Sequence, residues 1–257
     1  MIAVIQKAMK ILSVISDGKG EAVTLSRISE ATGIPKPTCS RILSTLAEDG
    51  YAVRVSHTEG YTAGPALYYL TRYGRYEEKL VALCDPIVRW LERKSHATVV
   101  LSVIQSGRKF IIDYADREQN LFEENARIRV GDIYRTATGR AILAHLSESE
   151  VRDIYKRHGN PEKQHWDRVT SYESLLEALA ELRGERIVVS DAINAKRLQN
   201  ARGYACPLFR GGVCIGAIGI ALEASALSDM TEERDAELRA LLLKGAREIH
   251  RRLEYDD

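Results

Sequence analysis

Between Thr24 and Leu46 two short apolar stripes flank Gly33-Ile34-Pro35, and this pattern constrains the fold more than any other feature of the chain. Leu25, Ile28 and Ala31 recur at helical spacing, and so do Cys39, Ile42, Leu43 and Leu46. Gly33 suits the left-handed residue that closes a helix. Ile34-Pro35-Lys36-Pro37 then turns the chain before the next helix. Upstream, Ile5, Ala8, Met9, Leu12 and Ile15 mark a further helix, ended by Asp17-Gly18-Lys19-Gly20. Three short helices, the last two joined by a tight glycine-containing turn, make a helix-turn-helix.

The face of the third helix opposite its buried stripe carries Pro37, Arg41, Ser44, Thr45 and Glu48. Hydroxyls around one guanidinium suit a major groove: they donate to phosphates, and Arg reads a guanine edge. Lys36 and Thr38 stand at the start of that helix, where free amides also favour a phosphate. A solvated helix face is the plain alternative, and the tri-helical context weighs against it. Tyr51–Val55 alternates, His57-Thr58-Glu59-Gly60 turns, and Tyr61-Thr62 returns, which predicts a β-hairpin wing. The candidate DNA-contacting residues are therefore Lys36, Pro37, Thr38, Ser40, Arg41, Ser44 and Thr45, with Arg54 and His57 from the wing.

Charge supports that reading only after division. The 257 residues carry a net charge of +1, which by itself argues against a polybasic nucleic-acid protein. Residues 1–75 hold nine basic and six acidic side chains, whereas the remainder holds 28 and 30. The basic excess sits on the helix-turn-helix. It is modest, so specific binding is expected to need a homodimer, or a dimer of dimers, on double-stranded operator DNA.

Other classes find little support. The longest strongly apolar stretch, Val213–Leu222, is too short for a bilayer and holds two glycines, so no membrane association is expected. The first residues lack the pattern of a signal peptide, and four scattered cysteines make no disulfide framework, so a cytoplasmic protein is expected. No metal-ligating pattern, P-loop, GxSxG or GxGxxG occurs, and no two of the six histidines stand four residues apart. The expectation is a non-enzyme with no cofactor and no metal. The alternative is a small-molecule enzyme using its winged helix as an interaction module. Cys206 and Cys214 flank one hairpin and raise the idea of a thiol switch, which the absence of a nearby basic activator disfavours.

The residues of the first module resemble the IclR-type bacterial transcriptional regulators. Val4-Ile5-Gln6-Lys7-Ala8-Met9-Lys10-Ile11-Leu12 is similar to the opening helix of that family. The run from Thr24 to Leu46 is similar to its L-x-x-I-A-x-x-T-G-L-P-K-S-T-x-x-R-L-L-x-T-L pattern, without gaps, departing at Pro37 where the family has Ser. Tyr51, Gly60, Tyr61, Gly64 and Pro65 match its wing and exit. The resemblance implies an α+β architecture: a winged helix-turn-helix domain over residues 1–65, a linker helix over 66–82, and a GAF-like effector-binding domain over 83–257.

The residues of the second region fit that expectation. Helical periodicity starts at Pro86; strands are predicted over 98–104, 109–114, 126–130, 186–190, 204–209 and 213–222; a helix from Thr231 to about Leu253 ends the chain. Strands in runs, with helices packed at one face, make an α+β domain. Thr136-Ala137-Thr138-Gly139 opens a helix with small residues, which suits a carboxylate. A plain capped helix is the equal alternative. The resemblance places this run at the family's A-T-A-x-G-K-A effector motif. Opposite it, Asp191, Asn194, Gly203, Tyr204 and Cys206 fall where the family has an acidic loop and G-x-R-C-I-A-A-P. Gly203 takes the usual cysteine position, and Cys206 reads better as a small buried hydrophobe than as a ligand contact. The effector expected is an organic acid or an aromatic metabolite.

Overall fold

A computed structural model of the chain describes residues 2–18, 20–56, 58–71, 78–116, 133–194, 199–222 and 224–255. The chain divides into two compact units, Met1–Glu78 and Lys79–Asp257.

The first unit contains α1 (Ala3–Ser16), α2 (Leu25–Thr32), α3 (Lys36–Glu48), β1 (Ala52–Ser56), β2 (Gly60–Ala63) and α4 (Pro65–Thr71). Its core takes Cys39, Ile42, Leu43 and Leu46 of α3 and Ile28 of α2 as the sequence stripes predict, but in α1 it takes Ile11 with Leu12 and Ile15, while Ile5 and Met9 of the expected stripe stay exposed. Thr24 caps α2 by accepting the Arg27 N–H, and Gly33 closes it at φ 69°. The turn into α3 is locked at one atom. The Ile34 carbonyl accepts from Ser29 Oγ at 2.7 Å and from Cys39 Sγ at 3.3 Å, so residues of both helices hold the connecting loop. β1 and β2 pair antiparallel, and Tyr61 of β2 also bridges Val23, tying the wing to the entry of α2.

The second unit contains α5 (Glu78–Ser95), β3 (Thr98–Gln105), β4 (Arg108–Ala115), α6 (Ala137–Leu143), α7 (Glu148–His158), α8 (Tyr172–Gly184), β5 (Val188–Asn194), β6 (Gln199–Arg210), β7 (Val213–Leu222), α9 (Ala224–Leu227) and α10 (Glu232–Tyr255). Its five strands form one antiparallel sheet in the order β4-β3-β7-β6-β5. On one face, Val99, Leu101, Tyr204, Cys206, Ile218 and Ile220 pack against Leu80, Ile87 and Leu91 of α5 and Leu238, Leu242 and Ile249 of α10. On the other face, Ala205 and Ala217 pack against Ala137, Ala141 and Ile142 of α6. Ile133, Tyr134, Leu143, Val151, Trp166 and Leu175 make a satellite core joining α6, α7 and α8.

The α+β class is therefore observed, with two differences in layout. Helices cover both faces of the sheet rather than one, because β6 and β7 are apolar on both sides and each side needs a partner. The helix expected from Pro86 begins at Glu78 and passes through Pro86. An internal proline costs a helix about 3 kcal/mol, and the burial of Leu80, Cys84, Ile87, Val88 and Leu91 along one face offsets it. Within 66–82, where one linker helix is expected, α4 ends at Thr71 and α5 begins at Glu78; residues 72–77 between them lie outside the described residues, as does the strand expected at 126–130. Among the described residues, no helix is long and apolar enough to cross a membrane.

A candidate nucleic-acid interface and a candidate ligand site

The first site is the outer face of α3. Burial of Cys39, Ile42, Leu43 and Leu46 turns Lys36, Pro37, Ser40, Arg41, Ser44 and Thr45 outward, all of them exposed, with Thr38 half-buried. These candidates share one continuous surface because helical geometry gives them no alternative once the stripe is inside. Pro37 lies in the first turn of α3, where its missing N–H breaks no helical bond. No acidic residue occupies that first turn, so nothing in it opposes an incoming phosphate. Thr45 returns its hydroxyl to the Arg41 carbonyl at 3.4 Å. On the wing, Arg54 is exposed and lies 5.8 Å from the centre of the Tyr61 ring. His57 lies outside the described residues.

The second site is the junction of α6 with the sheet. Thr136 caps α6, accepting the Gly139 N–H at 3.1 Å. Gly139 is required by close packing: a Cβ there would stand 2.1 Å from the Ile133 carbonyl oxygen. Ala137 lies against β6, where a Cβ at Gly203 would come within 3.2 Å of the Ala137 Cβ and 3.3 Å of Ser190 Oγ. Thr136, Ala137, Thr138, Gly139 and Gly203 are thus brought together.

Three further candidates are not. Asp191 pairs with Arg202 in register and binds it at 2.7 Å. Strand alternation puts this pair on the face opposite Ser190 and Gly203. Asp191 accordingly raises the Arg202 guanidinium further above its ordinary value. Tyr204 also points away from α6, and its hydroxyl donates to Asp235 Oδ1 of α10 at 2.6 Å. Burial and the neighbouring Asp235 push its phenol up to about 12, while the Tyr204 and Arg239 hydrogen bonds hold Asp235 below the usual carboxylate range. Cys206 is buried in the α5–α10 core with its thiol pushed up to about 12, which accords with a small hydrophobe. Cys206 and Cys214 do not meet: the first packs with α5 and α10, the second against the α6 cluster. Asn194 ends β5 in register with Gln199, and its side chain lies outside the described residues.

The sequence reading missed the polar groups that face Thr136 and Thr138 from the sheet. Ser102 Oγ donates to Thr138 Oγ1 at 3.2 Å, and Lys109 Nζ donates to Thr136 Oγ1 at 2.9 Å. Both are fully buried, and Ser190 is 4% exposed beside Gly203. α6 runs for only seven residues, so its dipole is a minor source of field, and the strong positive charge here is the Lys109 ammonium. The other buried cation nearby, Arg140, is spent on structure: its guanidinium donates to the carbonyls of Tyr134 and His165 and lies 4.3 Å from the centre of the Trp166 ring. A separate cleft of about 300 Å³ at the β6–β7 turn is lined by Phe209–Gly212, His250, Leu253 and Glu254, none of them a residue singled out from the sequence. Among the described residues no group of three His, Cys, Asp or Glu side chains is placed to hold a metal.

A winged helix-turn-helix with an exposed recognition face, followed by an antiparallel α+β unit, defines the class of two-part DNA-binding regulators. Comparison with known proteins narrows that class. The model of the IclR helix-turn-helix domain matches residues 4–56, and that of the bacterial transcriptional regulator IclR C-terminal domain matches residues 76–251. The chain belongs to the IclR family of bacterial transcriptional regulators. It is 27% identical over 256 residues to the HTH-type transcriptional regulator KdgR of Escherichia coli, covering 98% of this chain and 94% of that one. It is 26% identical over 245 residues to the transcriptional repressor IclR of the same organism, covering 95% and 87%. Its fold also matches an IclR homologue from Microbacterium hydrocarbonoxydans crystallised with 4-hydroxybenzoate, at a TM-score of 0.64 and 17% identity over 96% of this chain and 98% of that one.

Proposed function

We propose that the chain binds operator DNA through the outer face of α3 and that a small organic acid or aromatic metabolite, held at the junction of α6 with the sheet, sets the strength of that binding. One observation carries the reading: α3 exposes Arg41 among Lys36, Ser40, Ser44 and Thr45, with no acidic residue in its first turn. Arg41 reads a base edge, the hydroxyls and Lys36 hold phosphates, and Arg54 reaches the backbone beside the major groove. The solved relative's 4-hydroxybenzoate supports the ligand class.

The protein acts as a homodimer or a dimer of dimers. A module with three excess positive charges needs a second copy to gather enough phosphate contacts. Apolar surface for pairing is present in the first unit: Ile2, Ile5 and Met9 of the α1 region and Tyr68, Tyr69 and Leu70 of α4 are all more than half exposed. Ligand binding shifts the spacing of the paired DNA-binding units by favouring one of two arrangements. The protein works in the cytoplasm, where its DNA is, and catalyses no reaction.

A gel shift of the full chain on the DNA upstream of its own gene, at two salt concentrations, tests the DNA-binding part. A specific, salt-sensitive shift supports it. Its absence favours the enzyme alternative. Arg41→Ala is expected to abolish the specific shift while leaving the thermal unfolding profile unchanged, and unaltered operator affinity in that variant would remove α3 from its role.

A further inference from the structure

The first turn of α3 is poor in amide donors. Pro35, its N-cap, and Pro37, its second residue, have no N–H, and the N–H groups of Thr38 and Cys39 both donate to the Pro35 carbonyl, at 2.9 and 3.0 Å. The turn therefore offers an anion at most the Lys36 N–H. Its start is a weaker phosphate seat than a helix N-terminus ordinarily makes, and what it presents to the outside is the exposed ring of Pro37.

Pro37 also holds a particular place on the helix. The residues buried from α3 are Cys39, Ile42, Leu43 and Leu46. The direction opposite them runs along Pro37, Arg41, Ser44 and Glu48, spaced i, i+4, i+7 and i+11, and all four are exposed. Pro37 and Arg41 are thus neighbours on one line, about 6 Å apart along the helix axis. Glu48 ends that line about 16 Å from Pro37, so its carboxylate is remote from the first turn.

A recognition helix in the major groove meets base edges with its N-terminal residues. The groove displays the donors and acceptors of four bases and one apolar group, the C5-methyl of thymine. A pyrrolidine ring has no hydrogen-bonding atom to offer. Against guanine, adenine or cytosine it strips water from a polar edge and returns nothing. Against the methyl it leaves no polar group unsatisfied, and it has no rotamer freedom to lose. Serine, which the IclR pattern carries at this position, bonds to more than one base and discriminates less.

We infer that Pro37 is a specificity-determining residue of the DNA interface: it reads the C5-methyl of a thymine about two base pairs from the base that Arg41 reads, the spacing set by about 6 Å of helix axis against about 3.4 Å per base pair. This rests on the reading of α3 as the helix that enters the major groove, and deepens it by naming the base and the group on it that is recognised.

In the test, the full chain selects its preferred duplexes from a random-sequence pool. Its affinity for the best of them is then measured by fluorescence anisotropy, with each thymine in turn replaced by deoxyuridine, which lacks only the methyl. Replacing one thymine per α3 site is expected to weaken binding by about 4-fold, the effect of burying one methyl group. Pro37→Ser is expected to bind the thymine and deoxyuridine duplexes alike. An unsubstituted chain indifferent to every deoxyuridine overturns the inference without recourse to a variant, and so does a Pro37→Ser chain that keeps the full difference. In both of those outcomes, the selection of a preferred sequence leaves the DNA reading of α3 standing. A chain that selects no sequence counts against that reading and the inference together.

Discussion

The two units keep their functional groups in opposite places. In the first, the polar side chains assigned to DNA lie outside, on a helix whose inner face is the core, so packing and recognition divide one helix between them. In the second, the polar groups assigned to a ligand are inside: Ser102, Lys109, Thr138 and Ser190 are all less than 5% exposed and come from four separate segments. A surface site tolerates a changed side chain without loss of fold. A buried site shares its atoms with the core, so recognition and stability there are not separable.

That contrast is open to test. Gly139→Val places side-chain atoms against the Ile133 carbonyl, and overpacking of this kind costs about 3 kcal/mol or more. Hydrogen exchange on the full chain should show lost protection in β6, β7 and α10 with unchanged protection in α1 to α3; equal loss in both units would break the contrast. Arg41→Ala is the converse, with operator affinity falling by about 1–3 kcal/mol for a base-reading Arg and no change in denaturant midpoint. A shifted midpoint would mean that Arg41 belongs to the core after all.

Tyr204→Phe is a smaller perturbation. It removes the hydrogen bond to Asp235 while keeping the ring, and should cost about 1 kcal/mol of stability in the second unit. If Tyr204 belongs to the α10 side of the sheet, ligand-induced thermal shifts stay the same in this variant. A lost shift would return Tyr204 to the ligand site.

The smallest expected effect is on pH. His145 and His250 flank Phe209, and His250 Nε2 accepts the Phe209 N–H at 3.1 Å, which requires that nitrogen to be unprotonated. Burial lowers both imidazoles below their ordinary value of 6.5, with Arg183 adding to the effect on His145 and Glu254 opposing it on His250. A depressed histidine contributes stability that is present above its unfolded pKa and lost as pH falls through its folded one. The melting temperature of the second unit should therefore decline below about pH 6, while that of the first unit, which holds one histidine, His57, against five in the second, should follow less steeply. Parallel declines would contradict the assignment.

The same contrast explains what could be read from the sequence. The candidate interface on α3 is written locally, because four residues at helical spacing, Cys39, Ile42, Leu43 and Leu46, determine both the buried stripe and the face it leaves out. The sheet site is not local. Lys109 opens a strand beside a turn and reads as a surface residue; its burial follows from Thr136, 27 positions later, packing across the sheet. Alternation correctly predicts that Tyr204 and Cys206 share a face, but only the packed α10 decides which face that is. Asp191 likewise takes its direction from the β5–β6 register. Gly203 was legible as a small residue at the family's cysteine position, yet its contact with Ala137 needed the fold.

The central claim is that a ligand of the second unit controls DNA binding by the first. It is tested by titrating the full chain against the DNA upstream of its own gene, by fluorescence anisotropy, with and without a compound that raises its melting temperature. The account predicts a change in operator affinity of about 5-fold or more, the usual scale of coupling between sites, and no such change in a variant that no longer binds the compound. Identical affinities with and without a bound compound would contradict it.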